Sequence, residues 1–393
     1  MKILAVNAGS SSLKFQLLNM PEETEITSGI VERIGSKMGS FTIKYQDEKI
    51  EKELLVKDHA VAVQLVFDAL IEYKIIASLD EILGVGHRVV QGGELFQDSA
   101  LIDDEVEAKI ESLCDLAPLH NPAHLVGIRA FRKALPHVPQ IAVFDTTFHQ
   151  SMPKENFMYA TPYEWYTKYG VRKYGAHGTS HQYVSQRAAV LLNNPQAKIV
   201  VAHLGNGASL CAVKDGKSMD TSMGLTPLEG IPMGTRSGNV DPTVFSLISE
   251  KEDKGIKEIL NDLNRNSGYL GVSGISHDAR DITNAIARGD ERAKLTFDIQ
   301  TKRIADYIGS YYVLLGGIDA IVFTAGIGEN VKNIRRGIID RLGVLGAKLD
   351  LERNELRGEH EISTDDSKVK VYIIPTNEEV MIARDVMRLG KLA

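Results

Sequence analysis

The sequence predicts a mixed α/β protein made of two similar halves. Two observations carry that prediction. Strand-like apolar runs alternate with amphipathic helical stretches along the 393 residues. A strand, small-residue loop, strand pattern also occurs twice. Ile3-Leu4-Ala5 leads to Ser12-Leu13, and roughly 197 residues further on Val200-Val201-Ala202 leads to Ser209-Leu210. No linker or low-complexity tract separates the halves, so they are expected to pack closely around a cleft.

Taken in order, Ile3 to Val6 and Leu13 to Leu18 read as strands, with Asn7 to Ser12 as their turn. Phe41 to Tyr45 is a third strand-like patch. His59 to Tyr73 carries Val63, Val66, Phe67 and Leu70 at helical spacing. Leu83 to Val90 is a strand running into Gly92-Gly93. Asp104 to Leu116 is a helix with acids in its first turn, and Gln140 to Asp145 a strand ending in a carboxylate. Ser151 to Tyr174 reads as irregular. The pattern then restarts with strands at 198–203, 210–214 and 217–220, the last two joined by the Asp215-Gly216 turn. Helices follow near 241–250, 278–288 and 290–315, then a strand at 319–324. A glycine loop at 325–330, a helix at 331–342, a strand at 369–374 and a helix at 378–389 close the chain.

Forty-five basic and 52 acidic residues give a net charge of −7, with no basic block. This excludes an electrostatic footprint for nucleic acid or a membrane surface. No window approaches the roughly 20 apolar residues needed to span a bilayer, and the N-terminal run turns polar at Asn7, too early for a signal segment. Cys114 and Cys211 lack metal or redox spacing and read as reduced thiols in a cytoplasmic protein.

Three small-residue loops end strands: Asn7 to Ser12, Leu204 to Ser209, and Ala325 to Asn330. Each alone could be an ordinary turn. Together they favour a cleft that grips a polyphosphate, with Lys14 adding positive charge. Gly216-Lys217-Ser218 is no P-loop, because Cys211 stands where its first glycine belongs. Gly326-Ile327-Gly328 is no dinucleotide fingerprint, because Val331 replaces the third glycine. Arg88 and Arg236 sit beside glycines, where a planar guanidinium suits carboxylates or phosphates. Arg280 reads instead as a helix-start residue paired with flanking acids. His177/His181 and His120/His124 have HxxxH spacing without the acidic partner of a zinc protease, and Pro122 disturbs the second pair. His177 in its Gly-Thr-Ser loop suits donation to an oxyanion. Asp145 is either a cap or a positioning acid. Glu378 is either a first-turn acid favoured by the helix dipole or a ligand for a hard cation.

In this order, NAGSSSLK, GHRVV, LAPLHNP, FDTTFH, YGAHGTSH, HLGNGAS, MGTRSG, FTAGIGEN and PTNEE run from Asn7 to Glu379. The set resembles the acetate and propionate kinase family of the actin-like phosphotransferases over essentially the whole chain. The resemblance implies two duplicated ribonuclease-H-like (actin-like) domains flanking a nucleotide cleft, residues 1–146 plus 379–393 and residues 147–378. It implies reversible transfer from ATP to acetate, giving acetyl phosphate and ADP, with Mg²⁺ or alternatively Mn²⁺, in a homodimer. Asn7 and Glu378 look like the metal-site residues. Arg88 and Arg236 look like the pair that orients acetate and stabilises the phosphoryl group in transit. His177 looks like the transition-state donor and Asp145 the acid essential to catalysis. Nucleotide contacts fall on Lys14, on His203, Leu204, Gly205, Asn206 and Gly207, on Asp278, Ala279 and Arg280, and on Gly326, Ile327, Gly328, Glu329 and Asn330. Val90, Leu119 and Pro227 fall where the family receives the acetate methyl.

The chain departs from the family pattern at Gln91, at Asn239 and at Ala176, the last where many members carry phenylalanine. A smaller residue there would admit propionate, so propionate kinase is the nearest alternative, with butyrate kinase behind it. An ATP-driven switch would need a polymer or peptide interface. A sugar kinase would leave the arginine pair without a purpose.

Overall fold

The computed structural model describes residues 1–46 and 48–392; Asp47 and Ala393 lie outside them. The chain divides into two compact units, Met1–Thr147 with Asn377–Ala393, and Phe148–Thr376.

The first unit holds β1 (Lys2–Ala8), β2 (Ser12–Asn19), β3 (Thr24–Glu32), β4 (Gly39–Tyr45), β5 (Glu48–Leu54), β6 (Ile82–Val89), β7 (Ala100–Leu101) and β8 (Gln140–Phe144). They form one sheet in the order β5-β4-β3-β2-β1-β6-β8-β7. β1 pairs antiparallel with β2 and parallel with β6, and β6 pairs parallel with β8. Helices His59–Glu72 and Asn121–Ala134 bury Val66, Phe67 and Phe131 in one core with Leu4, Val6 and Phe15. The helix Glu378–Leu389 packs on β1 and β6. It can lie that close because β6 carries glycine. A side-chain carbon on Gly86 would sit 2.2 Å from Ile382 Cγ2.

The second unit holds β9 (Ile199–Leu204), β10 (Ala208–Lys214), β11 (Lys217–Thr221), β12 (Ala320–Thr324), β13 (His360–Glu361) and β14 (Lys370–Ile373), ordered β11-β10-β9-β12-β14-β13. The helix Glu291–Leu315 covers one face through Ile304, Ile308 and Leu315. The helix Gly178–Leu191 covers the other through Val184 and Ala188. Each unit therefore repeats one scheme. Three antiparallel strands (β3-β2-β1, β11-β10-β9) are extended by two parallel ones (β6-β8, β12-β14). This is the duplication that the two hairpins signalled, in the actin-like form that the family resemblance implied.

Several elements differ from the sequence reading. β3 and β5 were not expected. β3 is interrupted by Gly29, where a side-chain carbon would meet the Phe15 ring and the Thr42 carbonyl, so the position that masks the strand is required by its packing. The helix Gly178–Leu191 escaped because its buried face includes Thr179, Ser180, His181 and Ser185, which show no apolar period. The helix Asn121–Ala134 carries Pro122 in its first turn, where a missing N–H costs nothing, so the proline opens the helix rather than disturbing it. The helix expected to reach Leu116 ends at Ser112. Ala325–Asn330 is a short helix, not a loop. The units divide after Thr147 and before Asn377, because the helix starting at Glu378 packs in the first unit. Among the described residues, no helix is long and apolar enough to cross a membrane.

Candidate active site

In the first unit the β1–β2 hairpin sets Asn7 opposite Lys14. Its turn is closed by Gly9 N–H donating to Ser12 O at 2.8 Å, and the Gly9 carbonyl lies 2.7 Å from His59 Nε2. β6 delivers Arg88, and β8 ends at Asp145, whose N–H donates to Val89 O. Arg88 grips Asp145 with both prongs. Nε donates to Oδ1 at 2.9 Å and Nη2 to Oδ2 at 2.6 Å. Asp145 is 1% exposed, so this is a largely desolvated, bidentate pair. Burial disfavours the Arg88 charge, but Asp145, Glu378 and Glu379 outweigh it and raise its pKa. Asn377 caps the helix that starts with Glu378, accepting from Val380 N.

Asn7, Lys14, Arg88, Glu378 and Glu379 line one cavity of about 470 Å³. Glu378 Oε1 is buried with no hydrogen-bond partner among the described residues. Burial raises its pKa to about 7; Arg88 partly offsets this, and Asp145 and Glu379 add to it. A buried carboxylate oxygen without a partner, in a cavity that Asn7 also lines, suits a hard cation completed by phosphate and water oxygens. No group of three or more His, Cys, Asp or Glu residues among those described could hold a metal, so such an ion would depend on its substrate for most ligands.

In the second unit, three of the predicted loops come together. Gly234 N–H donates to Asn206 O at 3.2 Å, and a side-chain carbon on Gly234 would clash with Asn206 Oδ1 at 2.2 Å. The absence of a side chain on Gly234 leaves room for the Asn206 amide where the Met233–Arg236 turn lies against the Gly205–Gly207 turn. A side-chain carbon on Gly207 would sit 3.5 Å from Arg236 Nη1 and 3.6 Å from His177 Nε2. Arg236 has no carboxylate partner among the described residues. Nη1 lies 3.4 Å from Pro227 O and 3.7 Å from Met233 Sδ, and burial lowers its pKa. His177 caps the helix Gly178–Leu191 with φ +56, a left-handed conformation uncommon for a side chain of its size. Its ring stacks on His203 with centroids 4.1 Å apart.

The remaining nucleotide candidates join this region. Ala279 is buried in a cluster against which Ile327 packs, which brings 278–280 beside 326–330. Asp278 caps its helix and is gripped by Arg280, which lowers its pKa to about 2. Arg280 is thus the helix-start partner its flanking acids suggested, with an otherwise exposed side chain. Ala325 leaves β12 with φ +63. Gly328 and Glu329 offer carbonyls to Arg335, at 2.8 and 2.9 Å. Arg335 is 1% exposed, is also held by Asn354 and has its pKa lowered to about 10 by burial. It was not anticipated, because a basic residue on an amphipathic helix ordinarily faces water. The spacing of His177 and His181 and the loop ending at Ser209 were visible in the sequence, but not the hydroxyl contact that joins the three side chains.

Of the methyl-contact candidates, Val90 is buried and Leu119 is 63% exposed, both in the first unit. Pro227 and Ala176 belong to the second, where Ala176 is buried in the core that includes Met223 and Met233. The other two departures are accommodated. Gln91 Oε1 accepts from Gly93 N–H at 2.9 Å, and Asn239 accepts from Gly230 N–H while donating to Tyr307.

A duplicated actin-like fold, with glycine turns facing an uncompensated arginine, defines a nucleotide-dependent phosphotransferase. The acetokinase family profile matches residues 2–384. An acetate kinase of Acholeplasma laidlawii (strain PG-8A) is 67% identical over 390 residues, 99% of each chain. The crystal structure of Porphyromonas gingivalis acetate kinase superposes with a TM-score of 0.95 at 45% identity, covering 99% of each chain. A propionate kinase from Francisella tularensis subsp. tularensis SCHU S4 gives 0.94 at 46%, also covering 99% of each. The chain belongs to the acetokinase family, whose members are phosphotransferases with a carboxyl group as acceptor.

Proposed function

We propose that the protein transfers the γ-phosphoryl group of ATP directly to the carboxylate of acetate, reversibly, giving acetyl phosphate and ADP. The observation that carries this reading is Arg236. It is a half-buried guanidinium without an acid partner among the described residues, set near His177 Nε2 over the side-chain-free face of Gly207. A carboxylate is already a nucleophile at neutral pH, so the protein need not supply a strong base. It has to neutralise charge and fix the line of attack.

Arg236 and His177 then donate to the equatorial oxygens of the phosphoryl group in transit. The segments 203–207, 278–280 and 326–330 hold the nucleotide, joined by Lys14. Arg88 orients the acetate carboxylate, while Val90, Leu119 and Pro227 receive its methyl. Asn7 and Glu378 are suited to hold Mg²⁺, which would neutralise phosphate charge when bound. Asp145 acts by holding Arg88. Both its oxygens already accept from that guanidinium, which argues against an aspartyl-phosphate intermediate. Trapping phosphorylated Asp145 with ATP alone, at a competent rate, would sink direct transfer.

The decisive assay supplies Mg-ATP with acetate, propionate or butyrate and traps acyl phosphate with hydroxylamine. The expected order of kcat/KM is acetate, then propionate, then butyrate. No hydroxamate from any acid overturns the reading, and a preference for propionate moves it to the family's other acceptor. Two unpaired thiols, Cys114 and Cys211, support a reducing, cytoplasmic compartment. A homodimer rests on the family resemblance alone, and light scattering tests it.

A further inference from the structure

We propose that Ser209 and His181 are positioning residues that hold His177 as a neutral imidazole with its proton on Nε2. The Ser209 hydroxyl lies 2.7 Å from His181 Nε2 and 2.9 Å from His177 Nδ1. It has one proton to give and, among the described residues, no acceptor for it besides these two ring nitrogens, so it donates to one ring and accepts from the other. The direction follows from His181. That ring is fully buried, and its Nδ1 has no hydrogen-bond partner among the described residues. A proton on Nδ1 would be an orphaned buried donor, whereas a bare lone pair costs less. The His181 proton therefore sits on Nε2 and is donated to Ser209 Oγ.

The Ser209 proton is then left for His177 Nδ1, which accepts it with its lone pair. His177 must carry its own proton on Nε2. That is the atom 3.6 Å from where a Gly207 side chain would begin, beside Arg236 Nη1. An imidazolium at His177 would aim a second N–H at Ser209, and the serine proton would lose its acceptor. Burial, with His149 and His203 adding, keeps His181 well below the usual histidine range, so the relay starts from a neutral ring.

The relay stands on geometry; only its catalytic consequence rests on the reading of His177 as donor to the phosphoryl group. Long-range ¹H–¹⁵N correlation on protein labelled at histidine nitrogens distinguishes the two neutral tautomers and the imidazolium. The native protein at neutral pH is expected to show His177 protonated on Nε2 alone. Protonation on Nδ1, or on both nitrogens, overturns the proposal, and this measurement needs no variant to fold. Ser209→Ala is expected to spread His177 over both tautomers and to lower kcat by about tenfold or more, with KM for ATP little changed. Ser209→Thr, which restores the hydroxyl, should restore both. A Ser209→Ala protein with the native His177 pattern and native kcat refutes the relay. Full kcat in His177→Ala overturns the donor reading instead, and the native spectrum still decides the tautomer.

Discussion

Arg88 and Arg236 are the same side chain in opposite electrostatic states. Arg88, in the first unit, is clamped by a nearly inaccessible Asp145 and faces Glu378 and Glu379 as well. Arg236, in the second, is desolvated against a carbonyl and a thioether, with no acid among the described residues. The first guanidinium is fixed in place before any ligand arrives, at the cost of part of its free charge. The second keeps its charge uncompensated, so an incoming phosphoryl group meets the stronger field. A paired arginine orients; an unpaired one stabilises charge that develops later.

The largest expected effect follows from that contrast. Arg236→Ala should lower kcat by about a thousandfold, with KM for ATP changed by no more than about threefold. Steady-state kinetics at saturating acetate check this, and the reverse pattern would make Arg236 a nucleotide-binding residue. Stability should separate the two arginines in the opposite sense. Arg88→Ala leaves Asp145 buried and unpaired and should destabilise by about 3 kcal/mol in denaturant titrations. Arg236→Met removes a costly buried charge and should be neutral or stabilising. Equal losses in both variants would break the comparison.

A smaller effect concerns Glu378. Its folded pKa, raised to about 7, exceeds the ordinary carboxyl value near 4.5. The folded state therefore binds more protons than the unfolded state between those values. Stability without divalent cation should fall as pH rises from about 4.5 to about 7. Glu378→Gln should flatten that slope. A slope unchanged by the substitution would assign the titration to another group. The smallest effect is on acceptor choice. Val90→Ala should raise the propionate-to-acetate ratio of kcat/KM by about ten- to a hundredfold at most, since one methylene is worth only about 1–3 kcal/mol. No change would take Val90 out of the methyl contact.

Much of this was legible beforehand, for reasons that differ between residues. Both hairpins were visible because glycine and serine interrupt apolar runs. The pairing of Arg280 with a flanking acid was legible because Asp278 lies within one turn of it, where spacing alone sets distance. Asp145 stayed open between a cap and a positioning acid, because its partner Arg88 lies 57 residues away. Arg335 and the helix Gly178–Leu191 were missed because polar residues on a buried face look like polar residues on a wet one.

The residue types by themselves determined where the backbone turns, which loops are free of side chains, and where cations and acids are available. Propensity and hydrophobic period act over a few residues, so those features are local. Tertiary packing decided the charge state and use of each group. It paired Arg88, left Arg236 unpaired, orphaned Glu378 Oε1 and set Ser209 between two imidazoles. Desolvation and hydrogen-bond direction depend on neighbours brought in from distant parts of the chain, and no sequence window contains them.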